Sequence, residues 1–243
     1  MPELPESSTA GSSPTELWVD DVAAYRPDQA PLFDLPAGVR PQPQARVILL
    51  AGPSGCGKTS MTRRLGFPVV NLDEFYKDDT DPGLPMLSGN LVDWDNPLAW
   101  HTDQALAALV DLAFTGQCDM PIYSIPLNRR TGSTSLTLGE HRVFIAEGVF
   151  ASHMVAHARA AGVLADAICI KRPRLKNFWF RLLRDVAEGR KRLPVILRRG
   201  VRLLRLESAL VAGWVADGCE PMDVPAAERR IRRAAVPGAA HSN

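Results

Sequence analysis

Long apolar runs are missing from this sequence. The longest uninterrupted candidates, such as Val47 to Ala51 and Val143 to Ala146, are strand-sized. They fall far short of the roughly eighteen residues that a membrane-spanning helix needs. Cysteine is scarce as well: the four, at 56, 118, 169 and 219, lie singly along 243 residues. That distribution excludes the paired spacing of a zinc site and the density of a disulfide scaffold. Histidine is rare, and the one suggestive pair, His153 and His157, has no third ligand type beside it, so a structural pair is expected rather than a metal site. From Met1 to Thr15 no basic stretch precedes an apolar one, so no secretory signal is read and a cytoplasmic location is expected.

Net charge is also nearly absent, at +1, but that figure averages unlike segments. Residues 1–44 carry seven acidic side chains against two basic, and they hold eight of the twenty prolines. This composition predicts a largely disordered acidic arm. Residues 171–205 carry thirteen basic side chains against two acidic, a concentration that calls for an anionic partner.

What the chain does have is alternation. Apolar runs at 45–51, 68–72, 143–146 and 165–170 have the length and composition of strands buried on both faces. Helical periodicity appears at 97–115, with Asn96 as cap, Pro97 in the first turn and Gly116 as stop. It appears again at 174–188 and 193–216. Strands alternating with helices predict an α/β domain over 45–243, a parallel sheet covered on both faces, with a C-terminal helical segment over 193–234.

The first strand runs into Gly52-Pro53-Ser54-Gly55-Cys56-Gly57-Lys58-Thr59, which fits G-x-x-x-x-G-K-[ST] between a strand and a helix. Glycines allow the backbone close to phosphate oxygens, so that successive N–H groups converge on them at a helix N-terminus. Lys58 supplies a mobile positive charge to the β and γ phosphates, and the Thr59 hydroxyl suits Mg²⁺. Nucleoside triphosphate binding follows from these residues.

Downstream, Asp73 stands at the C-terminal end of the second strand, the edge at which open α/β sheets bind ligands. A carboxylate there can take a proton from an attacking hydroxyl or hold Mg²⁺. Glu74, Asp78, Asp79 and Asp81 read as an acidic surface turn. Glu147 closes an otherwise apolar strand, where an acid is costly unless paired or metal-bound.

Taken together, Gly52 to Ser60, Leu72-Asp73-Glu74-Phe75-Tyr76-Lys77, Asp93-Trp94-Asp95-Asn96-Pro97, Pro121-Ile122-Tyr123 and Glu147-Gly148-Val149 resemble the successive motifs of uridine kinases, within the phosphoribulokinase and uridine kinase group of P-loop proteins. The resemblance covers about 45–192. It implies an ATP-dependent, Mg²⁺-using kinase that phosphorylates the 5′-hydroxyl of uridine or cytidine. In that reading Gly52, Pro53, Ser54, Gly55, Cys56, Gly57, Lys58, Thr59 and Ser60 bind ATP. Asp73 is the catalytic base, Thr59, Asp73 and Glu147 surround Mg²⁺, Asp95 takes the ribose hydroxyls, and Tyr123 contacts the pyrimidine.

The basic segment resembles the family's lid, about 174–192, whose arginines fold over the triphosphate. Arg181 and Arg184 are thereby implied in catalysis, Arg181 also in substrate binding, and Arg190 in ATP binding. Two departures stand out. Asn128 occupies the position of the family's base-contacting histidine, so it is read as a substrate residue while the base stays open. Glu188-Gly189-Arg190-Lys191 is one residue short of the usual Arg-Gly-Arg run. Family members commonly assemble into oligomers, although no motif here marks an interface. Two alternatives remain at this stage: a kinase for another small hydroxyl compound, phosphoribulokinase-like or pantothenate kinase-like, and a non-catalytic P-loop protein that grips nucleic acid with its basic segment.

Overall fold

The computed structural model describes residues 42–53, 55–87, 91–171 and 209–236. The chain divides into two units, Met1–Asp34 and Leu35–Asn243, and every described residue belongs to the second. The acidic arm up to residue 41, the lid segment and residues 193–208 therefore lie outside the described residues.

Five strands form one all-parallel sheet: β1 (Arg46–Ala51), β2 (Val69–Asn71), β7 (Val143–Glu147), β8 (Leu164–Ile170) and β9 (Glu220–Met222), in the order β2-β7-β1-β8-β9. The four apolar runs are β1, β2, β7 and β8, as expected. β1 lies at the centre, and Val47 to Ala51 are wholly excluded from solvent. Ile48 and Leu50 pack with Met61 and Leu65 of helix α1 (Lys58–Leu65) and with Ile231 of helix α4 (Val224–Ala234). Helices α2 (Thr102–Thr115) and α3 (Met154–Ala160) fall between strands of the chain, and a further helical stretch at 209–216 precedes β9. The chain goes from β1 to β2 on one side and later from β7 to β8 on the other. The crevice beyond the carboxyl ends of β1 and β7 is thus a topological switch point, where such sheets bind ligands.

Three features differ from the sequence reading. The stretch 97–115 is not one helix: Pro97–Ala99 forms a 3-10 turn, Trp100 is extended, and α2 begins at Thr102. Asn96 does cap the turn, accepting from the Leu98 N–H at 3.0 Å, and Gly116 ends α2 at φ 83°. The break has a tertiary cause, because Trp100 is buried, bridges to Tyr76, and donates its indole N–H to the Leu72 carbonyl at 2.7 Å. Local helix propensity yields to that contact.

Secondly, residues 117–137, to which the sequence reading assigns no element, form an antiparallel hairpin of β5 (Gln117–Ser124) and β6 (Arg129–Thr137). A smaller pair, β3 (Met86–Leu87) with β4 (Leu91–Val92), precedes it. Thirdly, the C-terminal segment is not wholly helical, since β9 adds a parallel edge strand. Pro221 in its middle is tolerated because an edge strand has one unpaired side.

Candidate active site

The loop after β1 has the backbone that the motif requires. Gly52, Gly55 and Gly57 all have positive φ, at 152°, 81° and 95°. At Gly52 the space is closed too: a Cβ there would lie 3.1 Å from both Cys56 Sγ and Ile170 Cβ. Cys56 turns its thiol into the core beneath the loop, and Ser54 lies outside the described residues. Lys58 reaches back, its Nζ donating to the Gly52 carbonyl at 2.6 Å and to Pro53 at 3.4 Å. Thr59 and Ser60 follow on the exposed first turn of α1.

Glu147 ends β7 opposite Leu50, immediately beside this loop. Its Oε1 accepts from the Thr59 hydroxyl at 3.2 Å, and its Oε2 is buried with no hydrogen-bond partner. Burial pushes its pKa up, against the opposing pull of Lys58 and the Thr59 hydrogen bond, with the Asp73 charge adding to the rise. A buried carboxylate oxygen with no donor is expensive, and a small hard cation would satisfy it. The donor set fits Mg²⁺, which takes one or two protein oxygens and fills its octahedron with water and phosphate. No group of three or more His, Cys, Asp or Glu side chains able to cage a metal occurs among the described residues.

Asp73 arrives from the other side. β2 hands the chain to a 3-10 turn, Leu72–Phe75, capped by Asn71, whose Oδ1 accepts from the Asp73 N–H at 3.2 Å. The carboxylate Oδ1 then accepts from the Val149 N–H at 2.8 Å, just beyond β7. The glycine between Glu147 and Val149 permits this approach, for a Cβ at Gly148 would lie 2.8 Å from both Asp73 Oδ1 and Leu72 Cβ. Burial raises the Asp73 pKa, partly offset by the Val149 hydrogen bond and the Lys58 charge, while Glu74 adds to the rise. Asp73, Lys58 and Glu147 therefore feel one another electrostatically at one sheet edge.

Next to Asp73 stands an aromatic wall that the sequence reading missed. Tyr76 is its hub, with ring centroids 5.9 Å from Trp94, 5.9 Å from Tyr123 and 5.8 Å from Phe150. Its four members are scattered from 76 to 150 in sequence. Asp95 is exposed beside this wall and, after burial and Asp73, contributes to raising the Tyr76 pKa. Tyr123 donates its hydroxyl proton to the Lys77 carbonyl at 3.1 Å, and burial with Asp78 and Asp79 nearby pushes its pKa up to about 12. Its oxygen is left as an acceptor.

Asn128 lies in the tight turn of the hairpin at φ 47°, a left-handed conformation that asparagine tolerates better than most residues. Its carbonyl accepts from the Asp79 N–H at 2.8 Å.

The acidic stretch after Asp73 is not simply a surface turn. Glu74 Oε2 accepts from the Tyr123 N–H at 2.5 Å and Oε1 from Asn71 Nδ2 at 2.9 Å. Asp78 Oδ1 accepts from the Arg130 N–H at 2.8 Å. These two acids are partly buried ties that fasten the hairpin, and only the fold brings their donors near. Asp81 fits the surface reading, since it caps the Gly83 N–H at 2.7 Å. His153 and His157 both lie at α3, and neither joins a metal cluster among the described residues. Arg181, Arg184 and Arg190 lie outside the described residues. No described helix is long and apolar enough to cross a membrane.

No family model matches the chain. The uridine kinase of Schizosaccharomyces pombe (strain 972 / ATCC 24843) is 34% identical over 118 residues, covering 46% of this chain and 26% of that protein. The uridine kinase of Limosilactobacillus reuteri (strain DSM 20016) is 30% identical over 110 residues, 42% of this chain and 49% of that protein. That of Bacillus pumilus (strain SAFR-032) is 28% identical over 166 residues, 65% of this chain and 76% of that protein. The chain thus spans less than half the length of the first two relatives. Among solved structures, a protein from Silicibacter sp. TM1040 assigned as a fructose transport system kinase superposes with a TM-score of 0.51 at 19% identity, covering 72% of this chain and 88% of that one. That likeness shows the α/β P-loop NTPase-type fold.

Proposed function

We propose that this chain belongs with the uridine kinases and acts as an ATP-dependent nucleoside kinase that transfers the γ-phosphoryl group to the 5′-hydroxyl of uridine or cytidine. The observation that carries the reading is the convergence of Asp73 on the phosphate loop, held by the Val149 N–H and within the field of Lys58. A loop that only held a nucleotide would have no use for a raised, oriented carboxylate at that point.

In the proposed mechanism the glycine loop cradles the triphosphate with backbone N–H groups, and Lys58 leaves its two loop carbonyls for the β and γ phosphates. Thr59 and Glu147 would hold Mg²⁺, which supplies neutralising charge between the phosphates when bound. The resemblance also assigns Asp73 to that ion. With Oδ1 committed to Val149, Oδ2 is left to accept the proton of the attacking 5′-hydroxyl. The nucleoside lies along the aromatic wall, where a planar base can stack against Tyr76 or Tyr123. The Tyr123 oxygen accepts an N–H from the base, and Asp95 accepts from the vicinal ribose hydroxyls, a role suited to an exposed carboxylate. Asn128 would meet the base edge. Arg181, Arg184 and Arg190 enter the proposal from the resemblance alone, as stabilisers of the transferring group.

Asp73→Asn tests the reading. The amide still accepts from Val149 but cannot take a proton, so turnover should fall by about a hundred- to ten-thousandfold. ATP affinity and thermal stability should hold. Near-normal turnover would remove Asp73 from the role, and loss of ATP binding would make it part of the phosphate site instead.

A further inference from the structure

We propose that Glu74 is a positioning residue for the acceptor, coupling the turn that carries Asp73 to the strand that carries Tyr123. The inference rests on the reading of Asp73 as the base and of Tyr123, on β5, as part of the acceptor wall.

A carboxylate can only accept, and Glu74 accepts from both ends of the site. Its Oε2 takes the Tyr123 backbone N–H at 2.5 Å, at the point where the β5–β6 register shifts between Ile122 and Tyr123. An irregularity of this kind bends a strand and re-aims its side chains, and Glu74 holds the backbone at that position. Its Oε1 takes the Asn71 Nδ2 at 2.9 Å, which fixes the orientation of that amide. The Asn71 oxygen is thereby turned to the Asp73 N–H at 3.2 Å. One side chain thus orients the cap that holds the catalytic turn and, through its other oxygen, sets the distance to the tyrosine.

The other ties along this segment do less. Tyr123 Oη donates to the Lys77 carbonyl at 3.1 Å, Asp78 accepts from Arg130 N–H at 2.8 Å, and Asp79 N–H donates to Asn128 at 2.8 Å. Each fastens the hairpin, but among them only Glu74 also contacts the residue that caps the Asp73 turn. Hydrogen bonds to an ionised acceptor are about twice as strong as neutral ones, which suits a link that must hold a geometry rather than merely fill space.

The test exploits the direction of the hydrogen bonds. Glu74→Gln keeps the side-chain length but offers one oxygen and one NH₂ to two donors, so one link must break or the Asn71 amide must turn over. With whichever nucleoside stimulates the wild-type protein, the acceptor KM should rise about tenfold or more, while the ATP KM stays within about twofold. Adding Asn71→Asp to Glu74→Gln reverses the polarity of the link: the new amide donates to residue 71 and accepts from Tyr123, and the new carboxylate still accepts from the Asp73 N–H. That double variant should return the acceptor KM to within about threefold of wild type. Hydrogen exchange at 117–124 should quicken in the single variant and recover in the double. An unchanged acceptor KM in Glu74→Gln, an equal rise in both KM values, or no recovery in the double variant would overturn the proposal. A wild-type protein that no nucleoside stimulates would instead overturn the functional reading on which it rests.

Discussion

The two halves of the proposed site, one for phosphate and one for acceptor, are built over very different spans of chain. The phosphate half is nearly continuous: the loop and the start of α1 occupy 52–60, and Glu147 joins them from the neighbouring strand through a hydrogen bond to Thr59. The acceptor half is gathered from the Asp73 turn, the Trp94–Trp100 stretch, the hairpin and the Gly148–Phe150 corner. Its members meet through side-chain to backbone hydrogen bonds such as Glu74 to Tyr123, Trp100 to Leu72 and Asp73 to Val149. A contiguous loop sets its geometry by backbone conformation, so its weak points are glycines. A gathered wall sets its geometry by paired polar atoms, so its weak points are the ties and the places where two segments nearly touch.

That difference can be broken open with two glycines, where the largest effects are expected. Gly52→Ala would bring a Cβ to 3.1 Å of Cys56 Sγ and Ile170 Cβ at a φ of 152°, and should weaken ATP binding by about tenfold to a hundredfold while the acceptor KM stays put. Gly148→Ala would bring a Cβ to 2.8 Å of Asp73 Oδ1 and should do the reverse. Its turnover should drop by about a hundredfold with ATP affinity kept, since a displacement near 1 Å of a reacting group has an effect of that order. Isothermal titration with a non-hydrolysable ATP analogue and steady-state kinetics separate the two. Matching losses in both variants would mean that the halves are not separable.

A smaller effect sharpens the comparison through pH. Asp73 and Glu147 both have raised pKa values, chiefly from burial. As the proposed base, Asp73 must be ionised for turnover, so activity should fall with decreasing pH through a pKa above the ordinary aspartate value, about tenfold per unit below it. For stability the sign is the opposite. A carboxyl whose folded pKa is raised favours the folded state below its unfolded pKa, and that contribution is lost as pH rises through the folded pKa. Asp73→Asn should therefore not destabilise the protein near neutrality, as a denaturation curve would show.

The same contrast explains what could be read in the sequence. The phosphate loop was legible because one chemical task fixes four positions within eight consecutive residues, and the strand feeding it is an unbroken apolar run. Glu147 stands where the sequence puts it, as the last residue of a parallel strand, whereas Asp73 lies two residues beyond the end of β2, in the 3-10 turn that follows. The hairpin was not legible. Seven of the nine residues of β6 are exposed, so no alternation marks it as a strand, and β9 is three residues around a proline. Glu74 and Asp78 look like any acidic turn until the hairpin supplies their donors. Trp100 breaks a well-formed helical pattern for a hydrogen bond to a residue 28 positions away. Each of these depends on a contact between distant segments, which periodicity does not encode.

The most direct measurement is Mg²⁺-dependent ADP release from the full chain with ATP and a panel of acceptors: uridine, cytidine, other nucleosides, ribulose 5-phosphate and pantothenate. Uridine or cytidine is expected to stimulate release well above the background hydrolysis, and the others to do little. Stimulation by ribulose 5-phosphate or pantothenate instead, or by none of the panel, would contradict the nucleoside kinase reading.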